Sequence, residues 1–208
     1  MIFLSRTRAR RNPSQKGFTL IELLVVLALM GTLLTLGVPP LLRTSDDLRL
    51  RMAAGEIVGV LRSSRSFAQR YGANVAVKFN TEKNGSVTFA LYRDGNGNGV
   101  LNKDIASGKD AQVMPPQSLK FLGRDVGFGF PPGPPPRDPG TGKPMDRLDD
   151  PIRFNDSDLA SFSPLGTSTP GSVYLRNGSG HLVVVRLSDR TGKVGVLLYD
   201  AKTQKWHD

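Results

Sequence analysis

The first third of the chain contains two helix patterns in succession, one apolar on every face and one amphipathic. Between Leu23 and Leu42, twenty consecutive residues carry no charge. A helix of that length spans ~30 Å, which is the thickness of the hydrocarbon core of a bilayer. Core helices of soluble proteins are seldom apolar on every face for five turns. The run therefore predicts a transmembrane helix over residues 18–42.

The next segment, residues 43–72, has apolar or small side chains at spacings of three and four, which predicts a helix with one buried face. This stripe consists of Leu50, Ala54, Ile57, Leu61, Ser64, Ala68 and Tyr71. Gly72 is a helix-stop signal. Pro39 lies at the join between the two patterns and is expected to kink the helix, because proline removes a backbone hydrogen bond and clashes with the preceding turn.

Short β-rich runs separated by turn residues occupy the rest of the chain, residues 73–208. The predicted strands are residues 74–79, 86–92, 119–122, 126–130, 172–175, 182–187 and 194–199. Asn84-Gly85 predicts a hairpin turn between the first two. A long helix packed on antiparallel strands is an α+β fold. Residues 131–151 contain eight prolines and three glycines, which predicts a polyproline-like surface loop that is either mobile or docked on its neighbours and lies outside the core.

Positive charge is concentrated at the N-terminus. The net charge is +10, and residues 1–17 hold five basic side chains and no acidic one. The remainder has 23 basic and 18 acidic side chains, a net charge of +5, which does not by itself indicate a nucleic-acid partner. Positive charge before an apolar helix predicts a cytoplasmic N-terminus and places everything after the helix outside the cytoplasm. The apolar run lacks a small-residue cleavage site at its end, so an ordinary signal peptide fits poorly.

The residue composition limits the catalytic chemistries open to the chain. It has no cysteine, which excludes disulfides, thiolate nucleophiles and cysteine-based zinc sites. It has only two histidines, His181 and His207, so most histidine-dependent catalysis is not expected. Neither a GxxxxGKS/T phosphate-binding loop nor an HExxH motif occurs. The sequence therefore predicts that the protein is not an enzyme.

One loop has the spacing of a calcium site. Asp94, Asn96 and Asn98 place side-chain oxygens at alternate positions, and Gly99 follows at the sixth, as calcium loops require. The twelfth position is Ile105, so the closing carboxylate is missing or displaced by one residue. Asx-Gly repeats are also ordinary in polar hairpin loops. A polar loop is the favoured interpretation, and a structural calcium site is the alternative.

Residues 16–23, with the sequence KGFTLIEL, resemble the class III signal of type IV pilins and pseudopilins. In that family a prepilin peptidase cleaves after the glycine and methylates the new N-terminal phenylalanine. The resemblance implies that cleavage falls between Gly17 and Phe18 and removes the basic leader, residues 1–17. It continues through the apolar run and includes Glu22 and the proline at the membrane exit, Pro39.

The later strands are similar to the C-terminal sheet of the GspH/FimT pseudopilins, through residues 162–167, 183–188 and 192–194. This resemblance implies a minor pseudopilin of a type II secretion system, which helps initiate or cap the pseudopilus for protein export. Its alternative is a FimT-like minor pilin of a type IV pilus. Either subunit would cross the bacterial inner membrane once and have a periplasmic globular domain. The implied partners are the prepilin peptidase, other pseudopilins or pilins, and the inner membrane.

Glu22 is an ionisable group at the edge of the apolar run, a position that is costly and commonly has a functional partner. After cleavage the Phe18 amine is a cation, and the amine of a neighbouring subunit could approach Glu22 in a filament. The sequence therefore predicts an assembly role for this carboxylate. The alternative is a side chain that extends to the headgroups without a partner.

DNA binding is a rival function, because some FimT-like pilins are linked to DNA uptake through a basic Gly-Arg-x-Arg motif. Residues 192–195 read GKVG, so the second basic residue of that motif is absent. Residues 172–208 hold six Lys or Arg against three Asp, which is a weak patch for phosphates. Nucleic acid is therefore not expected as a partner.

Overall fold

The computed structural model describes residues 17–82, 85–123, 125–188 and 190–208, with the backbone alone at residues 38–43. The chain divides into two compact units, the first ending at Leu41 and the second comprising Leu42–Asp208. The predicted fold class, α+β, is confirmed.

Helix α1, Leu20–Tyr71, is 52 residues long and contributes to both units. In the first unit its segment Leu20–Gly37 has a mean hydropathy of 2.3 and no buried residue, and it is long enough to cross a membrane. The assignment of α1 as helix continues through residues 39 and 40. The kink expected at Pro39 stays a prediction, because the side chains there are not described.

The second unit contains the rest of α1, a short helix and ten strands. The short helix α2 is Asn102–Ala106. The strands are β1 Val75–Thr81, β2 Val87–Arg93, β3 Ala111–Ser118, β4 Gly127–Phe128, β5 Ile152–Arg153, β6 Leu159–Phe162, β7 Gly171–Arg176, β8 Leu182–Leu187, β9 Val194–Asp200 and β10 Lys205–His207.

The strands form two antiparallel sheets. The first has the order β3-β2-β1-β6, and the second has the order β10-β9-β8-β7-β4, with β5 also pairing with β7. In the first sheet, the edge strand β3 contains Pro115 and Pro116, and the pairing of β3 with β2 is interrupted by register shifts. Proline cannot donate a ladder hydrogen bond, so it is tolerated at an edge.

One face of α1 packs on both sheets. Leu50, Ile57 and Leu61 are 1 %, 1 % and 0 % exposed, and they share one core cluster with side chains from strands of each sheet. The predicted stripe is confirmed except at Tyr71, which is 47 % exposed and stacks on Phe67. Every residue of the three core clusters lies beyond Leu42, so the second unit contains its own hydrophobic core.

Several elements differ from the sequence prediction. Residues 119–122 form a 3-10 helix and not a strand, because Leu119 and Leu122, three apart, both face the core. Strands β3, β5, β6 and β10 and helix α2 were not expected, since they are short or contain prolines. Gly72 ends α1 as predicted, with φ +61°. Asn84 of the predicted hairpin turn lies outside the described residues.

The proline-rich segment, residues 131–151, is folded against the second sheet. Met145 is buried at 4 % exposure and packs with Tyr174, Leu182 and Val184. The prediction that this segment contributes nothing to the core is therefore wrong at Met145. A single long apolar side chain among prolines gives no periodicity from which its burial could be predicted.

Candidate functional site

The predicted processing junction lies immediately before helix α1. Gly17, Phe18 and Thr19 are exposed and are not helical, and the Phe18 side chain is 83 % exposed. The helix starts at Leu20, so the bond between Gly17 and Phe18 lies in backbone without a helical hydrogen-bond ladder. The leader before Gly17 lies outside the described residues.

Thr19 caps the helix, a role that the sequence analysis missed. Its hydroxyl oxygen accepts a hydrogen bond from the backbone N–H of Glu22 at 3.3 Å, and its carbonyl accepts one from the N–H of Leu23 at 3.2 Å. Threonine three residues before glutamate is the pattern of a capping box. That pattern is visible in the sequence and could have identified Thr19.

Glu22 is the acidic residue of the first helical turn. A carboxylate at this end of a helix interacts favourably with the positive pole of the helix dipole. Phe18 lies just before the helix start at Leu20, and Glu22 lies just after it. The interaction of Glu22 with the helix dipole stabilises the helix without any partner subunit.

The apolar segment Leu20–Gly37 has exposed side chains around its whole circumference. Its two threonines satisfy their hydroxyls within the helix: Thr32 donates to the carbonyl of Ala28 at 2.8 Å, and Thr35 donates to the carbonyl of Thr32 at 2.8 Å. Such back-bonding leaves no free hydroxyl hydrogen in an apolar medium. The segment therefore fits a single-pass membrane anchor.

The calcium candidate, residues 94–99, forms a loop closed by internal hydrogen bonds. Asp94 is 7 % exposed. Its carboxylate accepts from the N–H groups of Asn96, Gly97 and Gly99 at 3.1, 2.7 and 2.7 Å, and from the amide of Asn74 at 2.9 Å. Burial raises the pKa of Asp94, but these hydrogen bonds from Asn74 and the backbone outweigh it and hold the pKa below its usual range.

Two further buried carboxylates complete the loop. The amides of Asn96 and Asn98 donate to one oxygen of Asp104 at 3.3 and 3.0 Å. Asp110 accepts from the N–H groups of Gly95 and Leu101 at 3.2 and 3.0 Å.

A carboxylate accepts about four hydrogen bonds, and Asp94 has four. No group of three or more His, Cys, Asp or Glu that could hold a metal ion occurs among the described residues, and the choice between a polar loop and a structural calcium site stays a prediction.

The two histidines lie at positions where they contribute to the fold. His181 Nδ1 pairs with Asp47 Oδ1, and the same carboxylate accepts from the amide of Asn177 at 3.0 Å. These contacts join the turn after β7 to α1. His207 lies in β10, opposite Leu198. The structure does not bring either histidine into the hydroxyl–imidazole pairing of a nucleophilic site within the part of the chain that it describes.

Residues 12–38 match the family model of the prokaryotic N-terminal methylation motif. The match confirms the predicted prepilin signal, and with the apolar helix it is consistent with a protein of the pilin or pseudopilin type, a structural class and not an enzyme class. The motif implies processing by a prepilin peptidase and assembly with other pilins. Neither a curated protein nor a solved structure matches the chain.

Proposed function

We propose that this protein is a minor pseudopilin of a type II secretion system that helps initiate or cap the pseudopilus for protein export. The observation that supports this role best is the methylation motif at residues 12–38 on a helix whose segment Leu20–Gly37 has no buried residue. Apolar surface of this extent needs lipid or other helices around it. In the membrane, lipid surrounds this apolar surface. When the subunit leaves the membrane and joins a filament, the helices of neighbouring subunits surround it instead.

The proposed orientation rests on the charges that precede the membrane segment. Residues 1–17 contain five basic and no acidic side chains, which favours a cytoplasmic N-terminus. The unit Leu42–Asp208 then lies in the periplasm, where it contacts other minor subunits or cargo.

The assembly mechanism rests on a charge pair between Glu22 of one subunit and the Phe18 amine of its neighbour. Cleavage after Gly17 creates that amine next to the start of α1. A carboxylate alone in an apolar environment is costly by several kcal/mol, and an opposite charge recovers much of that cost. The pair therefore stabilises the assembled register relative to the free subunit.

Processing is tested by mass spectrometry of the mature protein from cells that contain the peptidase. We expect the chain to begin with N-methylated Phe18. The uncleavable control Gly17→Val should keep its leader. A mature protein that still begins at Met1 would contradict the assignment.

The charge pair is tested by co-purification with partner pilins from membranes. We expect Glu22→Ala to be cleaved and membrane-inserted but to lose most of its co-purification, and Glu22→Asp to be intermediate because the charge is kept and the reach shortened. Thr19→Ala is the matched control, since it weakens the helix cap without removing the charge. Undiminished co-purification of Glu22→Ala, or equal loss in Thr19→Ala, would exclude the charge pair.

Deleting the gene distinguishes a type II secretion system from a type IV pilus, when both protein export and surface pili are measured. A type II pseudopilin predicts that exported proteins accumulate in the periplasm while surface pili remain. Loss of pili with normal export would instead support the alternative, a FimT-like minor pilin of a type IV pilus. A gel shift with residues 43–208 tests the DNA-binding form of that alternative, which predicts retardation that is lost at high salt and in Lys193→Ala.

A further inference from the structure

An open groove of ≈ 550 Å³ lies within the second unit, between α1 and the loop from β8 to β9. Its lining residues are Arg62, Arg65, Ser66, Gln69, Gly192, Lys193 and Val194. Three of them are cationic. The described lining contains no acidic side chain that would neutralise them.

Arg65 is held in this groove by two glycine turns. A Cβ atom at Gly192 would lie 3.2 Å from Arg65 Cδ, and one at Gly166 would lie 3.1 Å from a terminal guanidinium nitrogen of Arg65. Both glycines have positive φ, +74° and +82°. Any side chain at either position would crowd the guanidinium, so the two turns form a slot that fits an arginine.

Arg65 also has an unsatisfied hydrogen-bond donor. Its Nε is buried and has no acceptor among the described residues. Buried N–H groups without a partner are rare, and each calls for an explanation. Because this Nε is enclosed, a ligand in the groove would meet the outer atoms of Arg65, and it is the combined charge of Arg62, Arg65 and Lys193 that favours an anion there.

The surroundings of the groove favour a carboxylate of a protein over a phosphate of a nucleic acid. Leu165, next to Gly166, is 91 % exposed, and Val194 lines the groove. The described lining contains no aromatic side chain on which a base could stack. An apolar residue beside clustered cations matches a segment that carries both an acidic and an apolar side chain.

We propose that this groove binds an acidic segment of a partner protein, with Arg65 and Lys193 contacting its carboxylate and Leu165 contacting an adjacent apolar residue. An arginine fork and a carboxylate pair through two parallel hydrogen bonds. This site is independent of the membrane helix, so it can fail while the proposed function stands.

The test measures binding of a fluorescein-labelled peptide, LEELEEL, to the fragment Leu42–Asp208, which contains every residue of the core. LQQLQQL is the uncharged control. We expect micromolar to millimolar binding of the acidic peptide alone, weakened about tenfold by Arg65→Gln and about fivefold by Lys193→Gln. Arg70→Gln is the matched control, because it removes the same charge from an exposed position of α1 that does not line the groove.

Circular dichroism first establishes that each variant has the same unfolding temperature as the natural protein. If Arg65→Gln is unfolded, the test relies on Lys193→Gln, which changes a residue in a surface loop. Equal binding of the two peptides, or no loss in Lys193→Gln, would overturn the proposal. Tighter binding of a DNA oligonucleotide than of the acidic peptide would also overturn it.

Discussion

The two ends of helix α1 have the same secondary structure but are built for different surroundings. Between Leu20 and Gly37 no residue is buried, whereas from Leu50 onward one stripe is almost completely enclosed by two sheets. The first end must therefore obtain its stability from lipid or neighbouring helices, and the second obtains it from its own chain. The comparison teaches that exposure on every face of the helix, and not the exposure of single side chains, distinguishes the segment that needs other molecules around it.

Two leucines of similar exposure give the sharpest test of this difference. Leu29 is 59 % exposed and Leu48 is 57 % exposed. We expect Leu29→Lys to impair membrane insertion by about 2.5–3.5 kcal/mol, because the charge enters the hydrocarbon core. Leu48→Lys should change little, within about 0.5 kcal/mol. Membrane fractionation measures the first effect, and chemical denaturation of Leu42–Asp208 measures the second. Equal behaviour of the two variants would remove the distinction.

The buried stripe is tested in the same fragment. Leu61→Ala should lower the free energy of unfolding by about 2–5 kcal/mol, because the enclosed side chain leaves a cavity. Leu48→Ala has the same change of side chain at an exposed position and should cost less than about 0.5 kcal/mol. Urea unfolding followed by circular dichroism measures both. A small effect at Leu61 would show that the helix is not anchored through this stripe.

The polar loop after β2 should contribute stability that depends on pH. The folded pKa of Asp94 lies below its unfolded value, so its contribution is present above pH ~4 and is lost as the pH falls through the folded pKa. Asp94→Asn should lower the free energy of unfolding by about 1–3 kcal/mol at neutral pH, and the difference from the natural protein should shrink at acidic pH.

Calcium serves as the control for that experiment. Because the four hydrogen bonds to Asp94 occupy its acceptor positions, added calcium should leave the unfolding temperature unchanged. A rise in the unfolding temperature with calcium that disappears in Asp94→Asn would instead establish the metal site considered from the sequence.

The smallest expected effect is at the helix start. Thr19→Ala should cost about 0.5–2 kcal/mol of local helix stability, because the Glu22 N–H loses its acceptor. Thr19→Ser should retain the cap. Amide hydrogen exchange at Glu22 and Leu23 in detergent micelles measures the change. Equal exchange rates in Ala and Ser variants would mean that the hydroxyl does not cap the helix.

Periodicity predicted the large elements well because their burial is regular. The spacing of Leu50, Ile57 and Leu61 identified the buried stripe, and the strands β1, β2, β7, β8 and β9 were found within a few residues. It failed where burial depends on contacts distant in sequence. Residues 119–122 are apolar enough for a strand, and Met145 is buried only because the second sheet presents Tyr174 and Val184 to it.

For the candidate sites too, features that are local in sequence could be predicted, and features assembled from distant residues could not. The processing motif is contiguous in sequence, and the family match covers it. Thr19 was missed although its capping pattern is local. The groove around Arg65 could not be predicted, because its parts come from α1 and from turns at Gly166 and Gly192, which are far from Arg65 in the sequence.

The prolines of strand β3 bear on how such a protein avoids aggregation. An open sheet edge presents unpaired backbone groups to which a strand of another copy of the chain can add. Pro115 and Pro116 have no backbone N–H, so the edge strand β3 offers fewer donors to another strand, and β10 and β4, at the edges of the second sheet, are only three and two residues long. Strand-to-strand association between copies of the chain is thereby disfavoured at these edges.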